Sequence, residues 1–401
     1  MGEWKRVKLG EVCTLVPGFA FKSGLFGEFP AKVIKITNIE DGISEEALSG
    51  VDVSGFAEGK LDKYLVTKGD YVVAMTGSIG KIGRVIEGKA YINQRVLTIR
   101  AMGLADKDFI YYLIRSKDFL NYMLTHVDSH SVQSNISAGT IGEYEFELPD
   151  LPTQRRVAAV LGALDDKIEV NRKICENLEA QAQALFKAWF VDFEPFGGKR
   201  PEGWKMGKLG DIVEFKNGFA FKSSEFKERA RYKVMTIKAV QNGNLVTEGA
   251  DCVDDIPAKM PSWCVLRDAD ILLSLTGNVA RCCLVCEDDL LLNQRVAKLL
   301  PRMSEDVAFV YALFRSDETR KRLETIAKGT AQANLSPIES AGLLQLIPAE
   351  AERSRFANLC NPMIEAIVKT NRESRALAAM RDALLPKLMS GELAVEKVEV
   401  K

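Results

Sequence analysis

Asp150 followed by the Asp165-Asp166-Lys167 cluster has the spacing of an acidic pair and a lysine with which metal-dependent nucleases hold Mg²⁺ at a phosphate. The surroundings point elsewhere. Asp165 to Lys167 fall inside a run of helical periodicity rather than on a strand, and the comparable place further along the chain holds Met363-Ile364-Glu365-Ala366. Gly77, Gly80 and Gly83 lie around Lys81, but the Gly-x-x-x-x-Gly-Lys-Ser/Thr spacing of a phosphate loop is absent and no helix start follows, so a turn is the reading. The eight cysteines (Cys13, Cys175, Cys252, Cys264, Cys282, Cys283, Cys286 and Cys360) are scattered. They give one Cys-x-x-Cys, at Cys283 and Cys286, with no second pair, and read as reduced thiols.

With only His126 and His130 in the chain, an imidazole-rich metal site is excluded, and no nucleophile signature accompanies either histidine. Asn361-Pro362-Met363 lacks the second proline and the aromatic of an adenine methyltransferase motif, and no cofactor loop lies nearby. The chain is therefore expected to be neither nuclease nor methyltransferase, and to carry no cofactor or metal. Its 401 residues, 47% hydrophobic and 27% charged, suffice for two or three folding units with buried cores. Lys+Arg 54 against Asp+Glu 55 leaves a net charge of -1, which excludes a polybasic mode of binding. No apolar run reaches the ~18 residues that cross a membrane, so a cytoplasmic, unanchored protein is expected.

The elements that could position any site are duplicated. Trp4, Lys8, Leu9 and Gly10 recur as Trp204, Lys208, Leu209 and Gly210, and Gly18-Phe19-Ala20-Phe21-Lys22-Ser23 recurs as Gly218-Phe219-Ala220-Phe221-Lys222-Ser223. Thr76-Gly77, Asn93-Gln94-Arg95-Val96 and Arg115-Ser116 recur at the same offset of 200, and Asn135-Ile136-Ser137 returns as Asn334-Leu335-Ser336. A period this long signals tandem domains rather than a solenoid. Within residues 1–150, β-rich runs at Lys32–Ile36, Tyr71–Met75 and Val96–Ile99 and a helical stretch at Asp108–Leu124 read as α+β, and residues 201–348 repeat the pattern.

After Pro152 a long run containing no other proline and Gly162 alone among glycines extends to Phe190, with its twin from about Ala349 to Leu388. Val157, Leu161, Leu164, Ile168, Asn171, Cys175, Leu178, Ala182, Leu185 and Trp189 form a heptad stripe, matched in phase from Phe356 to Leu388. The two helices are expected to pair. About 38 residues at ~1.5 Å each give a rod of ~57 Å, longer than one domain needs. Asn171 stands on the stripe, either fixing register or at a solvated edge. The residues from Trp189 to Pro195, with Gly197-Gly198-Lys199-Arg200-Pro201, read as an aromatic and glycine-proline hinge.

This order of motifs resembles the specificity subunit of type I restriction-modification systems along the whole chain. Its marks are the Trp-x-x-x-Lys-Leu-Gly pair, the Gly-Phe-Ala-Phe-Lys-Ser pair, the Asn-Gln pairs, Gln332-Ala333-Asn334-Leu335-Ser336, Leu151-Pro152-Thr153-Gln154-Arg155 and Leu185 to Phe193. Two departures stand out: Thr153 replaces a Glu before Gln154, and Ala351-Glu352-Arg353 lacks the Glu-Gln pair. The resemblance implies target recognition domains at 1–150 and 201–348, joined and separated by two long antiparallel coiled-coil helices at 151–200 (with the hinge) and 349–401 (with a tail). It also implies a non-catalytic subunit that recognises a bipartite double-stranded DNA target and docks two methyltransferase subunits and restriction motor-nuclease subunits. The competing reading is a duplicated coiled-coil protein-binding scaffold without DNA specificity.

Residues identical in both halves cannot tell two different half-sites apart, so Lys22 and Lys222, like Gln94 and Gln294, are expected to hold the fold or touch phosphates. Base reading requires polar residues that differ between the halves. Ser78 to Arg84 against Asn278 to Arg281, and Ser129 to Ser134 against Lys328 to Ala333, meet that condition. Lys81, Arg84, Ser131 and Gln133 are the candidate DNA-binding residues of the first domain, and Asn278, Arg281, Lys328 and Gln332 those of the second. Residues 1–150 hold 17 basic and 20 acidic side chains and residues 201–348 hold 20 of each, so phosphate attraction must come from a local stripe or from partners.

Overall fold

The computed structural model describes residues 4–40, 42–128, 134–327 and 333–395. By its contacts the chain divides into two compact units, one running up to Asp166 and resuming at Leu377, the other Lys167–Ala376. Each unit therefore takes its domain together with part of both long helices.

The first unit is centred on the strand Tyr71–Ala74, buried at every residue. Alternation along it explains why. Tyr71 and Val73 pack in the core with Phe109 and Leu113 of the helix Lys107–Ile114, while Val72 and Ala74 point the other way, toward Ile34, Val66 and Ile92. Its partners in the sheet are Val96–Ala101 and Ile82–Glu87, both antiparallel, and Cys13–Pro17 pairs beyond Val96–Ala101. A second sheet of four strands joins Phe26–Ile34 and Lys89–Ile92 in parallel.

The second unit repeats this plan. Ile271 and Leu273 of the strand Ile271–Ser274 face Phe309 and Leu313, and Leu272 faces Met235, Leu290 and Leu292. The ladder register carries the 200-residue offset: Leu97 lies opposite Val73, and Ala297 opposite Leu273.

The stretch expected as one helix at Asp108–Leu124 is two, Lys107–Ile114 and Lys117–Thr125. Ser116 breaks it, its hydroxyl accepting from the amide of Phe119 at 3.2 Å as an N-cap. Ser316 repeats the device between Val307–Arg315 and Asp317–Ala327, accepting from the amide of Thr319 at 3.3 Å.

The long helices run Leu151–Phe190 and Glu350–Met389. Every residue of the stripe from Val157 to Trp189 is buried or half-buried. In the first unit Asp165 accepts from Arg381 at 2.6 Å; in the second, Asn171 donates to Glu373 at 2.9 Å and Cys175 lies near the carbonyl of Ile367. Rising numbers on one helix meet falling numbers on the other, so the pairing is antiparallel. Asn171 is 1% exposed, which makes it a core position rather than a solvated edge, the place where a polar residue specifies register at a cost in stability. The aromatic hinge is folded as core: Trp189, Phe190 and Trp204 are buried, and Phe193 and Phe196 stack edge-on against Trp204.

Turn geometry is also shared between the units. Gly69 at φ +88° and Ala269 at φ +63° occupy the same left-handed position, with Asp70 and Asp270 accepting from the amides of Thr67 and Arg267. Since alanine already serves at the second site, Gly69→Ala should cost only about 0.5–1 kcal/mol, the left-handed penalty less the entropy removed from the unfolded chain. Urea unfolding of the two proteins measures the difference.

Candidate nucleic-acid interface

In each unit, hydrogen bonds of the main chain and of one threonine side chain bring four distant segments into one rim. Gly18 donates to the carbonyl of Val96 at 2.8 Å and Phe19 to that of Ile92 at 2.9 Å; Met75 donates to Arg95 at 3.0 Å, and Ile136 to Met75 at 3.0 Å. The Thr76 hydroxyl closes the set by donating to the carbonyl of Ser134 at 2.7 Å. The second unit repeats it: Phe219 to Leu292 at 2.9 Å, Leu275 to Arg295 at 3.0 Å, Leu335 to Leu275 at 2.7 Å, and the Thr276 hydroxyl to Asn334 Oδ1 at 2.9 Å.

The motifs common to both halves are this frame. A Cβ on Gly18 would stand 2.2 Å from the carbonyl oxygen of Asn93, and one on Gly218 would stand 2.1 Å from that of Asn293. Glycine is required there because strand and turn backbones touch. The divergent turns after Thr76 and Thr276 leave the frame where those threonines bridge to Asn135 and Asn334. One divergent turn of each unit thus begins where its threonine meets a segment more than 50 residues away in sequence, Ser134 in the first unit and Asn334 in the second.

Lys22 and Lys222 are exposed directly after the buried Phe21 and Phe221 of the frame. Lys81 is exposed at the turn, and Gln94 and Arg95 are exposed on the neighbouring turn of the rim. Among the described residues, Lys22, Lys81 and Arg95 have no carboxylate partner, whereas Arg6, Lys8, Lys107 and Arg115 are each paired with one. The first domain's negative total is therefore compatible with a rim of free cations, the arrangement that attracts phosphates.

Arg84 stands apart from Lys81. It lies along the strand opposite Tyr71, 5.8 Å from that ring, and lines a cleft of about 430 Å³ with Asp106, Asp108 and Asp166. In the second unit Asn278 is exposed at the turn, and Arg281 is half-buried with its Nη1 donating to Gln241. Ser131, Gln133, Lys328 and Gln332 lie outside the described residues.

Arg95 and Arg295, identical in both halves like Lys22 and Lys222, are exposed beside Gln94 and Gln294 but are not among the candidates named from the sequence. Sequence reasoning also missed Gln241, Asn242 and Arg320, which line a cleft of about 520 Å³ with Asn278 and Arg281. Strand register supplies the signal for these. Ile34 pairs with Ile92 and Met235 with Leu292, so Gln241 takes the place of Glu40, and the halves differ there as well.

The nuclease-like acids are dispersed and occupied. Asp150 caps the first long helix through the amide of Thr153 at 2.8 Å. Asp165 accepts from Tyr112 at 2.8 Å, Arg115 at 3.1 Å and Arg381 at 2.6 Å, and Lys167 pairs with Glu373. Burial beside the Asp165 carboxylate pushes the Tyr112 phenol far above its ordinary range. Asp165 is a joint between the helices and the domain. Cys283 and Cys286 are buried, and burial raises both thiols. Among the described residues no cluster of His, Cys, Asp or Glu could hold a metal ion, and no helix is long and apolar enough to cross a membrane.

Comparison with known proteins agrees with this architecture. The family model for the type I restriction modification DNA specificity domain matches residues 1–180 and again 201–343, and the chain belongs to that family. It is similar to the type I restriction enzyme MjaIX specificity subunit of Methanocaldococcus jannaschii, 27% identical over 346 residues that cover 82% of this chain and 79% of the relative. It is also similar to the HindI specificity subunit of Haemophilus influenzae, 23% identical with 71% and 77% covered. In fold it matches the crystal structure of a type I restriction-modification S subunit from M. genitalium, with a TM-score of 0.56, 16% identity and 97% and 96% of the two chains covered. The chain is a specificity subunit, and a non-catalytic one.

Proposed function

We propose that the chain reads a bipartite double-stranded DNA target in the cytoplasm, each recognition domain (1–150 and 201–348) taking one half, on behalf of two methyltransferase subunits and the restriction motor-nuclease subunits that join them. The observation that supports this reading most is the rim: one frame built twice, carrying side chains that differ. A common frame gives both domains the same approach to the duplex, and the differing side chains give each its own bases. Lys22, Lys222, Arg95 and Arg295 would neutralise phosphates, while Lys81, Asn278 and Arg281 would reach base edges. Ser131, Gln133, Lys328 and Gln332 belong to the same proposal through their sequence neighbours in the rim. Arg84 would contribute by closing the adjoining cleft. The helices would carry the docking surfaces for the methyltransferases.

Exchange of the first domain for that of a relative with another target tests the reading. The chimaera, co-expressed with the methyltransferase, is expected to methylate a motif altered in one half and unchanged in the other. Alteration of both halves, or of neither, contradicts it.

A further inference from the structure

The cleft of the second unit is lined by side chains whose hydrogen-bonding roles are already fixed. Arg281 donates through Nη1 to Gln241, and because guanidinium has no acceptor, the atom it meets must be the amide oxygen Oε1. The other end of that amide, Nε2, donates to the carbonyl of Lys238 at 2.8 Å. Gln241 thus spends both ends holding Arg281. The main-chain amide of Arg281 is held as well, donating at 3.0 Å to Ser274 Oγ, which itself donates to the carbonyl of Asn278 at 2.6 Å. Asn242 is oriented by the same logic. Its Oδ1 accepts from Arg315, which is anchored to Glu179, so its Nδ2 is the end left to donate. Arg320 adds a further guanidinium to the wall, beside Glu324.

Among the described residues the Nε and Nη2 groups of Arg281 have no hydrogen-bond partner, so the cleft wall carries a planar donor fork, and the donating amide of Asn242 lines the same cleft. In the major groove guanine alone offers two adjacent acceptors, O6 and N7; adenine sets an amino donor beside its N7, cytosine offers a donor, and thymine one acceptor. A pre-oriented fork also loses less entropy on binding than a free side chain. The first unit lacks this equipment: Glu40 takes the place of Gln241, Lys81 that of Arg281, and the apolar Leu120 and Leu124 those of Arg320 and Glu324. Resting on the DNA-reading function proposed above, we infer that the half-site read by the second domain contains a guanine recognised bidentately by Arg281, with Gln241 as its positioning residue.

The test uses the full chain with its methyltransferase and the motif found by methylome sequencing. Duplexes carrying 7-deazaguanine at each guanine of the second half-site in turn are compared with the unmodified duplex. One position is expected to weaken binding by about 10-fold, and Arg281→Ala is expected to relax discrimination at that same position by about 10- to 100-fold. Gln241→Ala should loosen it partially, and Gln241→Glu, which retains the acceptor, should restore it. Because the modified base leaves the protein intact, a variant that folds poorly does not blur the result. A second half-site without guanine, insensitivity to 7-deazaguanine at every position, or unchanged selectivity in Arg281→Ala overturns the inference while leaving the DNA-reading function in place. Failure of the native complex to prefer any sequence overturns both.

Discussion

Arg353→Ala is expected to destabilise the second unit by about 3–5 kcal/mol, the effect of removing one partner from a buried ion pair. Arg353 is 8% exposed and Asp306 1%. The guanidinium donates to the Asp306 carboxylate at 2.9 Å and to the carbonyl of Pro348 at 3.1 Å. Truncation strands a buried carboxylate whose other oxygen already lacks a partner. Burial raises the Asp306 carboxyl above its ordinary 3.8 even with Arg353 beside it. A carboxyl with a raised folded pKa contributes stability that is complete below the unfolded value and lost as pH rises through the folded one. In the alanine variant nothing opposes the burial penalty, so its deficit is expected to be small in acid and to widen above 3.8 toward neutrality. Denaturant unfolding at several pH values measures this; a deficit independent of pH would mean that Arg353 acts through packing alone.

The second large effect is expected from Gly18→Ala, about 3 kcal/mol, with Gly218→Ala matching it in the other unit. The added methyl meets the Asn93 carbonyl oxygen at 2.2 Å, and that carbonyl belongs to a backbone locked by its own ladder. Neither side can yield without breaking the rim. The same substitution at Gly69 meets only the flexible end of Lys107, which is why a several-fold smaller cost is expected there. Thermal unfolding compares the three, and equal costs would contradict the role given to Gly18. Methylation by the Gly18→Ala complex should degrade at one half of the motif.

The repeat made much of this legible in the sequence, because a duplicated chain is its own comparison. Gly18 with Asn93, and Thr76 with Asn135, recur because each pair is a backbone contact the frame cannot do without. The long helices were legible from their stripe, which the packing uses in full. What stayed hidden is tertiary substitution. Gln154, fully buried, donates to the carbonyl of Pro149 at 2.8 Å and accepts from the amide of Asp106 at 2.7 Å. Arg353 does the same work with Pro348 and the carboxylate of Asp306, so the missing Glu-Gln pair is a changed joint rather than a lost one. The break at Ser116 was hidden because apolar periodicity continues through a capped kink. Arg84 is close to Lys81 in the chain, but the strand Ile82–Glu87 places it at a cleft that Lys81 does not line. Gln241 and Asn242 were missed because a one-residue shift in register conceals what they replace.

The central claim, that the two rims read two halves of one DNA target, is tested most directly by co-expressing the chain with its methyltransferase and mapping methylated adenines across a host genome by single-molecule sequencing. A split motif with an unread gap of fixed length is the predicted result. A stable complex with an active methyltransferase that yields no new motif, or a continuous one, would contradict it.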